Sequence, residues 1–317
     1  MRIVFMGTPE FAVPPLEHLL INKYQVTAVY TQPDRPAGRG RSLVSPPVKR
    51  VALEFDLPVI QPHSLKAKEV AAQLSSLTPD VIVSAAYGLL LPQAVLDIPK
   101  YGCINIHPSL LPAYRGVSPV AATILAGDDF TGVSLILMDR GLDTGPVLGR
   151  AAVSISPRDD TRSLTAKLSQ VAARLLPEVL AYWLRGKITP QPQDEAVATY
   201  SGRINKEDGE IDWQLSAVDI WRRVRAFNPW PGCYTRWQGK QLKIIEAVPL
   251  PGEGNITAGM VVRPEQRVAF GISTGDGILG VLKAQAEGKR AMSAVEFLRG
   301  HGGLIGAILP SGSEEIT

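Results

Sequence analysis

The chain has 317 residues, about twice the length of a common single domain, and we therefore expect two domains. Hydrophobic residues make up 45% and charged residues 20%, which excludes disorder over most of the chain and indicates a soluble globular protein. The net charge of +3, from 33 basic and 30 acidic side chains, argues by itself against a dedicated nucleic-acid binder.

Cysteine content and the apolar pattern exclude further classes. The two cysteines, Cys103 and Cys233, are too few for a disulfide framework or a cysteine-based metal site, which suits a reducing compartment. Residues 1–5 already have the pattern of a strand and not of a signal segment. No apolar run approaches the ~18 residues of a membrane span. We therefore expect a cytoplasmic protein with no membrane partner.

In chain order, the first 185 or so residues alternate between short segments rich in β-branched residues and segments of helical pattern. The strands are predicted at Ile3–Met6, Val26–Thr31, Val59–Gln61, Val81–Ala85, Ile104–His107, Val133–Met138 and Val147–Ile155. The helical patterns lie near 14–21, 47–55, 66–76, 92–97, 118–126 and 161–185. This alternation predicts an α/β domain with a Rossmann-like, doubly wound, mostly parallel sheet. Ligands of such sheets bind at the carboxyl ends of the strands.

The pattern changes after residue 186. Residues 186–207 have no helical or strand periodicity, and we place the boundaries at a first domain 1–189, a linker 190–207 and a second domain 208–317. Ser216 is placed to cap a helix that runs to Phe227. A last short helix is predicted at residues 292–299. Short strands are predicted at Glu210–Trp213, Cys233–Trp237, Leu242–Val248, Gly259–Val262, Val268–Ile272 and Gly277–Ala286. They indicate a small β-barrel of the OB type.

Two polar side chains end the predicted strand 104–107. Side chains alternate along a strand, so Asn105 and His107 share one face, and Pro108 ends the strand. An amide donor beside an imidazole can stabilise an oxyanion and handle a proton. Taken alone, an Asn-x-His pattern is more often structural, with both side chains bonded to nearby backbone. Its position at the carboxyl end of a strand favours the functional interpretation.

A carboxylate follows the next strand, within Asp139–Gly145. Two glycines allow a tight loop there, and Asp143 can reach back towards the neighbouring strand end. Paired with His107, this carboxylate would orient the ring and favour its charged form. The alternative is that Asp143 only caps its own turn.

Two other strand ends are weaker candidates. The turn Gly7–Phe11 lacks the G-x-G-x-x-G spacing of a dinucleotide site, but Phe11 could form a wall of a substrate pocket. The segment 86–92, with Tyr87, Gly88 and Leu89, could line an apolar slot for a flat ring, although ordinary helix-entry packing explains it as well.

The basic residues are concentrated in one stretch. Residues 34–50 carry five of them against Asp34 alone, a net charge of +4, which equals the net charge of all of residues 1–189. A solvated loop is the usual explanation of a charge run. An arginine-rich loop at a strand's carboxyl end also suits phosphate recognition. The five residues are Arg35, Arg39, Arg41, Lys49 and Arg50.

Two kinds of site are disfavoured. No histidine has an acidic partner at metal-ligand spacing, so we expect no catalytic metal. Ser109 stands two residues from His107 and no G-x-S-x-G elbow exists, which argues against a serine hydrolase.

Together, Asn105-x-His107, the loop Ser109-Leu110-Leu111-Pro112 and Asp143 resemble the signature of the folate-dependent formyltransferases. Three further segments strengthen the resemblance and extend it over essentially the whole chain: residues 31–40, 225–231 and 275–279. Pro108 departs from the commonest pattern, which has a smaller residue at that position.

The resemblance implies formyl transfer from 10-formyltetrahydrofolate to the α-amino group of methionine on initiator tRNA. It implies catalytic roles for Asn105, His107 and Asp143. We also expect a monomeric protein without a metal. The folate would be held by Ser109, Leu110, Leu111, Pro112, Tyr87, Gly88, Leu89, Leu142 and Thr144. The tRNA would be bound by Arg35, Arg39, Arg41 and Lys49 of the basic stretch and, in the second domain, by Arg222, Arg223 and Lys243.

Three alternatives stay open. The first is a formyltransferase that acts on a small amine, such as a purine-pathway ribonucleotide or a sugar nucleotide. The second is a hydrolase that releases formate from formylfolate. The third is a non-catalytic tRNA-binding protein. The net charge of −1 in residues 190–317 keeps open that the second domain is only a cover.

Overall fold

The computed structural model describes residues 1–37, 42–252, 257–265 and 268–311. Its residues cluster into two compact units. The first comprises 1–119, 129–155 and 164–201, and the second comprises 120–128, 156–163 and the chain from Gly202 onward. The stretch 190–201, which the sequence indicated as a linker, therefore lies within the first unit.

The strands of the first unit follow the predicted alternation. They are β1 (Arg2–Gly7), β2 (Gln25–Tyr30), β3 (Arg35–Ala37), β4 (Ser42–Val44), β5 (Val59–Ile60), β6 (Val81–Ala85), β7 (Cys103–His107), β8 (Arg115–Gly116), β9 (Phe130–Leu137), β10 (Val147–Ser154) and β11 (Tyr200–Ser201). The helices up to residue 183 are α1 (Val13–Ile21), α2 (Pro47–Glu54), α3 (Lys68–Ser76), α4 (Gln93–Leu96), α5 (Pro119–Ala126) and α6 (Thr161–Trp183).

Seven of these strands form one sheet in the order β10-β9-β7-β6-β1-β2-β5. The pairs from β5 to β7 are parallel, which confirms the predicted class of sheet. The central strands are buried on both faces, as a parallel sheet covered by helices requires. Since parallel strands share an edge for their carboxyl ends, the residues that follow β1, β2, β6 and β7 lie at one edge.

The direction reverses at β9, which pairs antiparallel with β7, so that His107 faces Ser134 and Ile104 faces Leu137. The loop after β9 therefore begins beside the amino end of β7. Its first residue confirms this, because the amide of Met138 donates to the carbonyl of Cys103 at 2.7 Å. The loop must run back along β7 to bring Asp143 near His107.

Two short pairings were not predicted from the sequence. Strands β3 and β4 form an antiparallel hairpin at the base of the basic stretch. Strands β8 and β11 pair in parallel, so that Tyr200 is in register with Arg115. These strands are two or three residues long, and such a length shows no periodicity.

The second unit is built on an antiparallel sheet in the order β12-β13-β16-β15-β14, with β17 on β16. It curls into a half-barrel, with bulges in β13 near Glu246. The strands are β12 (Cys233–Trp237), β13 (Lys240–Leu250), β14 (Val261–Val262), β15 (Phe270–Ser273), β16 (Ile278–Ala286) and β17 (Met292–Ser293).

Two helices accompany this sheet, α7 (Ala217–Ala226) and α8 (Ala294–Gly300). The side chain of Ser216 accepts from the amide of Asp219, which confirms the predicted cap of α7. The predicted strand Glu210–Trp213 is wrong. Only Glu210 forms a bridge, to Tyr234, and Trp213 is fully buried in the core of the unit.

Candidate active site

Asn105 and His107 lie on one face of β7, while the intervening Ile106 is buried on the other. Asn105 is half-buried and His107 is only 3% exposed. Polar side chains at such depth are costly unless they are bonded, and both are bonded here.

The carboxylate of Asp143 contacts both of these side chains. Its Oδ1 accepts from the amide Nδ2 of Asn105 at 3.2 Å, and its Oδ2 lies 3.5 Å from Nδ1 of His107. The same Oδ2 accepts from the backbone N–H of Gly116 at 2.9 Å. The structure thus brings together the three residues that the sequence singled out. Gly116 was missed, since a backbone donor leaves no mark in a sequence.

The imidazole of His107 is flanked by oxygen atoms at both nitrogens. Its Nε2 is 2.9 Å from the carbonyl oxygen of Tyr114, which can only accept, so Nε2 carries a proton. Burial lowers the pKa of His107, opposed by the charge of Asp143 and by the bond to the Tyr114 carbonyl. We conclude that the neutral ring is favoured, with an unprotonated Nδ1 directed towards Asp143. A proton taken up at Nδ1 would be stabilised by that carboxylate.

The loop after His107 is fixed by side chain to backbone bonds. Ser109 Oγ donates to the carbonyl of Ala113 at 2.6 Å, and Ser134 Oγ of β9 donates to the carbonyl of Ser109 at 2.8 Å. Ser134 also accepts from the amide of Leu111 at 3.0 Å. Each hydroxyl replaces a backbone partner that the end of the strand has removed.

Three of the predicted folate residues are buried. Ser109 is fully buried, and Leu111 packs with Ile136 and Val147. Tyr87 is 2% exposed and part of the sheet's core, and it also lines the cavity at this edge of the sheet. Their contact with folate stays a prediction.

The other predicted folate residues are accessible to different degrees. Leu110, Pro112, Leu89 and Thr144 are half-buried, whereas Gly88 and Leu142 are exposed. The hydroxyl of Thr144 donates to Asp139 at 2.7 Å and closes the turn that carries Asp143.

A cavity of about 530 Å³ opens at the carboxyl ends of β1, β2 and β6. Its described lining residues include Thr8, Pro9, Gln32, Ala86 and Gly88, and its size suits a small organic ligand. Phe11 is not among them. It is 4% exposed and lies on a short turn that faces the core, so its predicted place in a pocket wall stays a prediction.

The basic stretch is partly neutralised within the first unit. Lys49 Nζ contacts the carboxylate of Asp34 at 2.8 Å and Gln61 at 2.9 Å, and exposed Arg50 pairs with Glu10 at 3.0 Å. Lys49 therefore fastens the base of the β3–β4 hairpin, and its predicted contact with tRNA stays a prediction. Arg35 is exposed and donates to Gln32 at 3.0 Å. Arg39 and Arg41 lie outside the described residues.

In the second unit, the three predicted tRNA contacts are half-buried. Arg222 pairs with Asp219 at 3.6 Å, Arg223 follows it on α7, and Lys243 lies on β13. Arg225, which the sequence did not single out, lies over the ring of Trp221 at 4.3 Å.

The described parts of the chain show neither a cluster of metal-ligating side chains nor a helix suited to span a membrane. No group of three or more histidine, cysteine or carboxylate side chains is placed to hold a metal ion. None of the helices there is long and apolar enough to cross a bilayer.

An amide donor, a neutral imidazole and an orienting carboxylate at a sheet edge can stabilise a tetrahedral oxyanion and move a proton. The described site contains no activated side-chain nucleophile, because Ser109 Oγ is bonded to a backbone carbonyl. The fold and site thus define an acyl-group transferase in which the acceptor substrate is the nucleophile.

Comparisons with known proteins agree with this class. Residues 1–180 match the model of the formyl transferase family, and residues 203–302 match the formyl transferase C-terminal domain. Two relatives are methionyl-tRNA formyltransferases. That of Dehalococcoides mccartyi is 54% identical over 95% of this chain and 96% of its own, and that of Chloroflexus aggregans is 47% identical over 95% and 97%. The chain therefore belongs to the formyl transferase family and, within it, to the methionyl-tRNA formyltransferases.

A solved structure shows the same fold at lower identity. The N-formyltransferase of Helicobacter canadensis, in complex with folinic acid and dTDP-3-aminofucose, has a TM-score of 0.65 at 21% identity. The alignment covers 90% of this chain and 98% of that one.

Proposed function

We propose that the chain transfers the formyl group of 10-formyltetrahydrofolate to the α-amino group of methionyl initiator tRNA, giving N-formylmethionyl-tRNA. The observation that carries the proposal is the Asn105–His107–Asp143 cluster, in a chain that is 54% identical to a methionyl-tRNA formyltransferase. We further propose a monomeric, cytoplasmic enzyme that uses the folate as co-substrate and no metal.

The acceptor amine starts the reaction. A free α-amino group titrates near ~7.7–8.0, so a useful fraction is neutral at pH 7. It attacks the formyl carbon, a C–N bond forms, and the carbonyl oxygen becomes an oxyanion. Asn105 donates one N–H of its side-chain amide to Asp143, and its second N–H can donate to that oxygen.

The proton then moves through His107. Neutral Nδ1 accepts it from the attacking nitrogen, and Asp143 stabilises the imidazolium that results. When the tetrahedral intermediate collapses, the bond between the formyl carbon and the folate nitrogen breaks. The ring returns the proton to that nitrogen, so that tetrahydrofolate leaves and His107 is neutral again.

The substrates would bind at the same sheet edge. The accessible residues Gly88, Leu89, Leu142 and Thr144 form the proposed folate site, together with Leu110 and Pro112. Arg35, Arg39 and Arg41 are the proposed contacts to the tRNA phosphates, because their fork of donors matches phosphate oxygens. Arg222, Arg223 and Lys243 are proposed as further contacts in the second unit.

The test is formyl transfer from 10-formyltetrahydrofolate to methionyl initiator tRNA, with methionyl elongator tRNA as the control acceptor. Asn105→Ala and His107→Ala should each lower kcat by on the order of 10²–10³ and leave tRNA binding unchanged. His63→Ala, an exposed histidine of the same unit, is the matched control and should keep parental activity.

Two results would contradict the proposal. If Asn105→Ala and His107→Ala were as active as the control His63→Ala, Asn105 and His107 would not be catalytic residues. Formylation of a nucleotide amine, but not of initiator tRNA, would move the enzyme to the small-amine branch of the family.

A further inference from the structure

The two oxygen atoms that flank His107 are both held by one chain segment outside the sheet. Residues 191–201 follow α6, and Gln191 and Val147 exchange backbone bonds at 2.8 and 2.9 Å. The segment ends in β11, which pairs with β8. Because the sequence predicted a linker here, nothing in its pattern suggested a link to the catalytic residues.

Gln193 is the closest link. Its Nε2 donates to the carbonyl oxygens of Asp143 and Gly145, both at 2.7 Å. Asp143 has φ +57, a left-handed conformation that a non-glycine residue keeps only where its surroundings enforce it. The side-chain bonds of Asp143 hold its carboxylate, and the amide of Gln193 holds its backbone.

The orientation of this amide is fixed from its other end. Gln193 Oε1 accepts from Nε of Arg115 at 3.0 Å, so the nitrogen must face the two carbonyls. Arg115 is fully buried, and its guanidinium donates to the carboxylate of Glu195 at 2.7 and 2.9 Å and to the hydroxyl of Tyr200 at 3.1 Å. These three partners of the Arg115 guanidinium belong to the segment 191–201.

The second flanking oxygen is held by the same segment. The carbonyl of Tyr114 accepts from His107 Nε2, and the backbone N–H of Tyr114 donates to Thr199 Oγ1 at 2.8 Å. The next residue, Arg115, donates its N–H to the carbonyl of Thr199 at 2.9 Å. Both neighbours of the imidazole thus depend on contacts made by residues 193–200.

We propose that Gln193 is a positioning residue for formyl transfer, which acts by holding the backbone of Asp143 so that its carboxylate faces His107. The inference rests on the proposed roles of His107 and Asp143. It adds that Gln193, in the segment after α6, helps to orient the catalytic carboxylate.

The experiment compares Gln193→Ala and Gln193→Glu with the parent protein in formyl transfer to methionyl initiator tRNA. The glutamate keeps the length and an oxygen for Arg115 but replaces the donor with an acceptor, which repels the two carbonyls. We expect kcat to fall roughly 10- to 100-fold in both variants, with the KM values for tRNA and folate unchanged. Gln191→Ala, whose exposed side chain bonds only to Thr189 among the described residues, should keep parental kcat.

A second readout separates positioning from a general structural role. In protein labelled with ¹⁵N-histidine, four pairs of ring signals are expected, and the pair from His107 is the one missing from His107→Ala. Since the charge of Asp143 raises the pKa of His107, loosening Asp143 should move the titration of His107 to lower pH in both Gln193 variants. The ring signals of the other three histidines are the internal reference.

Four outcomes would overturn the proposal. Parental kcat in the Gln193 variants does so directly. An unshifted His107 titration despite a lower kcat shows that the effect does not pass through Asp143. If kcat falls as far in Gln191→Ala, or if neither Gln193 variant folds, the segment has a structural role and no specific role in positioning Asp143. If the parent itself forms no formylmethionyl-tRNA, the proposed function fails, while the titration still decides the role of Gln193.

Discussion

Gly145 closes the turn that carries Asp143, and its lack of a side chain is a steric requirement. A Cβ at this position would overlap the carbonyl oxygen of Leu137, which is backbone and cannot move aside. The turn is tied to β9 through the bond between the Leu137 amide and the Pro146 carbonyl, at 2.9 Å. The glycine therefore lets the loop lie close to the strand from which it starts.

Gly145→Ala should lower both stability and catalysis, because the loop must move away from β9 and take Asp143 with it. We expect about 1–3 kcal/mol less free energy of unfolding, measured by urea titration, and a reduced kcat. Gly202→Ala, where a Cβ meets open space, is the matched control and should change stability by less than about 0.5 kcal/mol. If Gly145→Ala were as stable as the parent, the loop could adopt another conformation of similar free energy that accommodates the Cβ.

At the same scale, the sequence identified Asn105, His107 and Asp143 because polar side chains at strand ends are conspicuous. It could not identify Gln193. A glutamine that follows Pro192 and precedes Asp194 looks like an ordinary exposed residue, and its role depends on a buried arginine 78 positions earlier. Burial of Arg115 is itself unreadable from sequence, since arginine is mostly exposed in proteins.

The β3–β4 hairpin is the element that gives the basic stretch its shape. Of the five basic residues in 34–50, Lys49 and Arg50 are paired with Asp34 and Glu10. Hydrogen bonds from Lys49 and Gln61 lower the pKa of Asp34 and keep it charged above acidic pH. Arg35, Arg39 and Arg41 are thereby left as the stretch's candidates for contact with a polyanion.

Arg39→Ala should weaken the use of tRNA and reduce its dependence on salt, because each phosphate contact releases a counterion. We expect the slope of log affinity against log salt concentration to decrease by about 1. Arg50→Ala removes the same charge from an ion-paired position and is the control, with an unchanged slope expected. Equal slopes for the parent and Arg39→Ala would exclude a phosphate contact at this residue.

Elements with a clear period were predicted well. The bounds of β6 and β12 are those read from the sequence, and the cap of α7 is correct. The antiparallel direction of β9 was not foreseen, because strand direction leaves no trace in the alternation of side chains. The pairing of β8 with β11 is set by contacts between residues 85 positions apart and by strands too short to show a pattern.

At the scale of the whole molecule, each compact unit contains one cysteine, and both thiols are buried. Burial raises the pKa of Cys103 to about 12 and that of Cys233 to about 12. Their exposed fractions are 1% and 2%. Since the thiolate is the reactive form, neither sulfur reacts with an alkylating reagent while its unit is closed.

The thiols can therefore report the opening of the two units separately. We expect no modification of the native protein by iodoacetamide at pH 8, and one modification per unit as urea is raised, located by mass spectrometry of peptides. Reaction of Cys103 and Cys233 over the same range of urea would indicate one cooperative transition. Rapid alkylation of either thiol without urea would contradict the burial described.

The parallel pairing of β11 with β8 has a consequence for synthesis on the ribosome. All seven strands of the large sheet have been made once Ser154 is added, yet Gln193 follows only 39 residues later. An emerging chain can thus assemble the sheet, with Asn105, His107 and Asp143 along it, before Gln193 is present to hold the backbone of the left-handed turn at Asp143. Competence for formyl transfer is then acquired late, when the stretch through Ser201 has left the exit tunnel and docked.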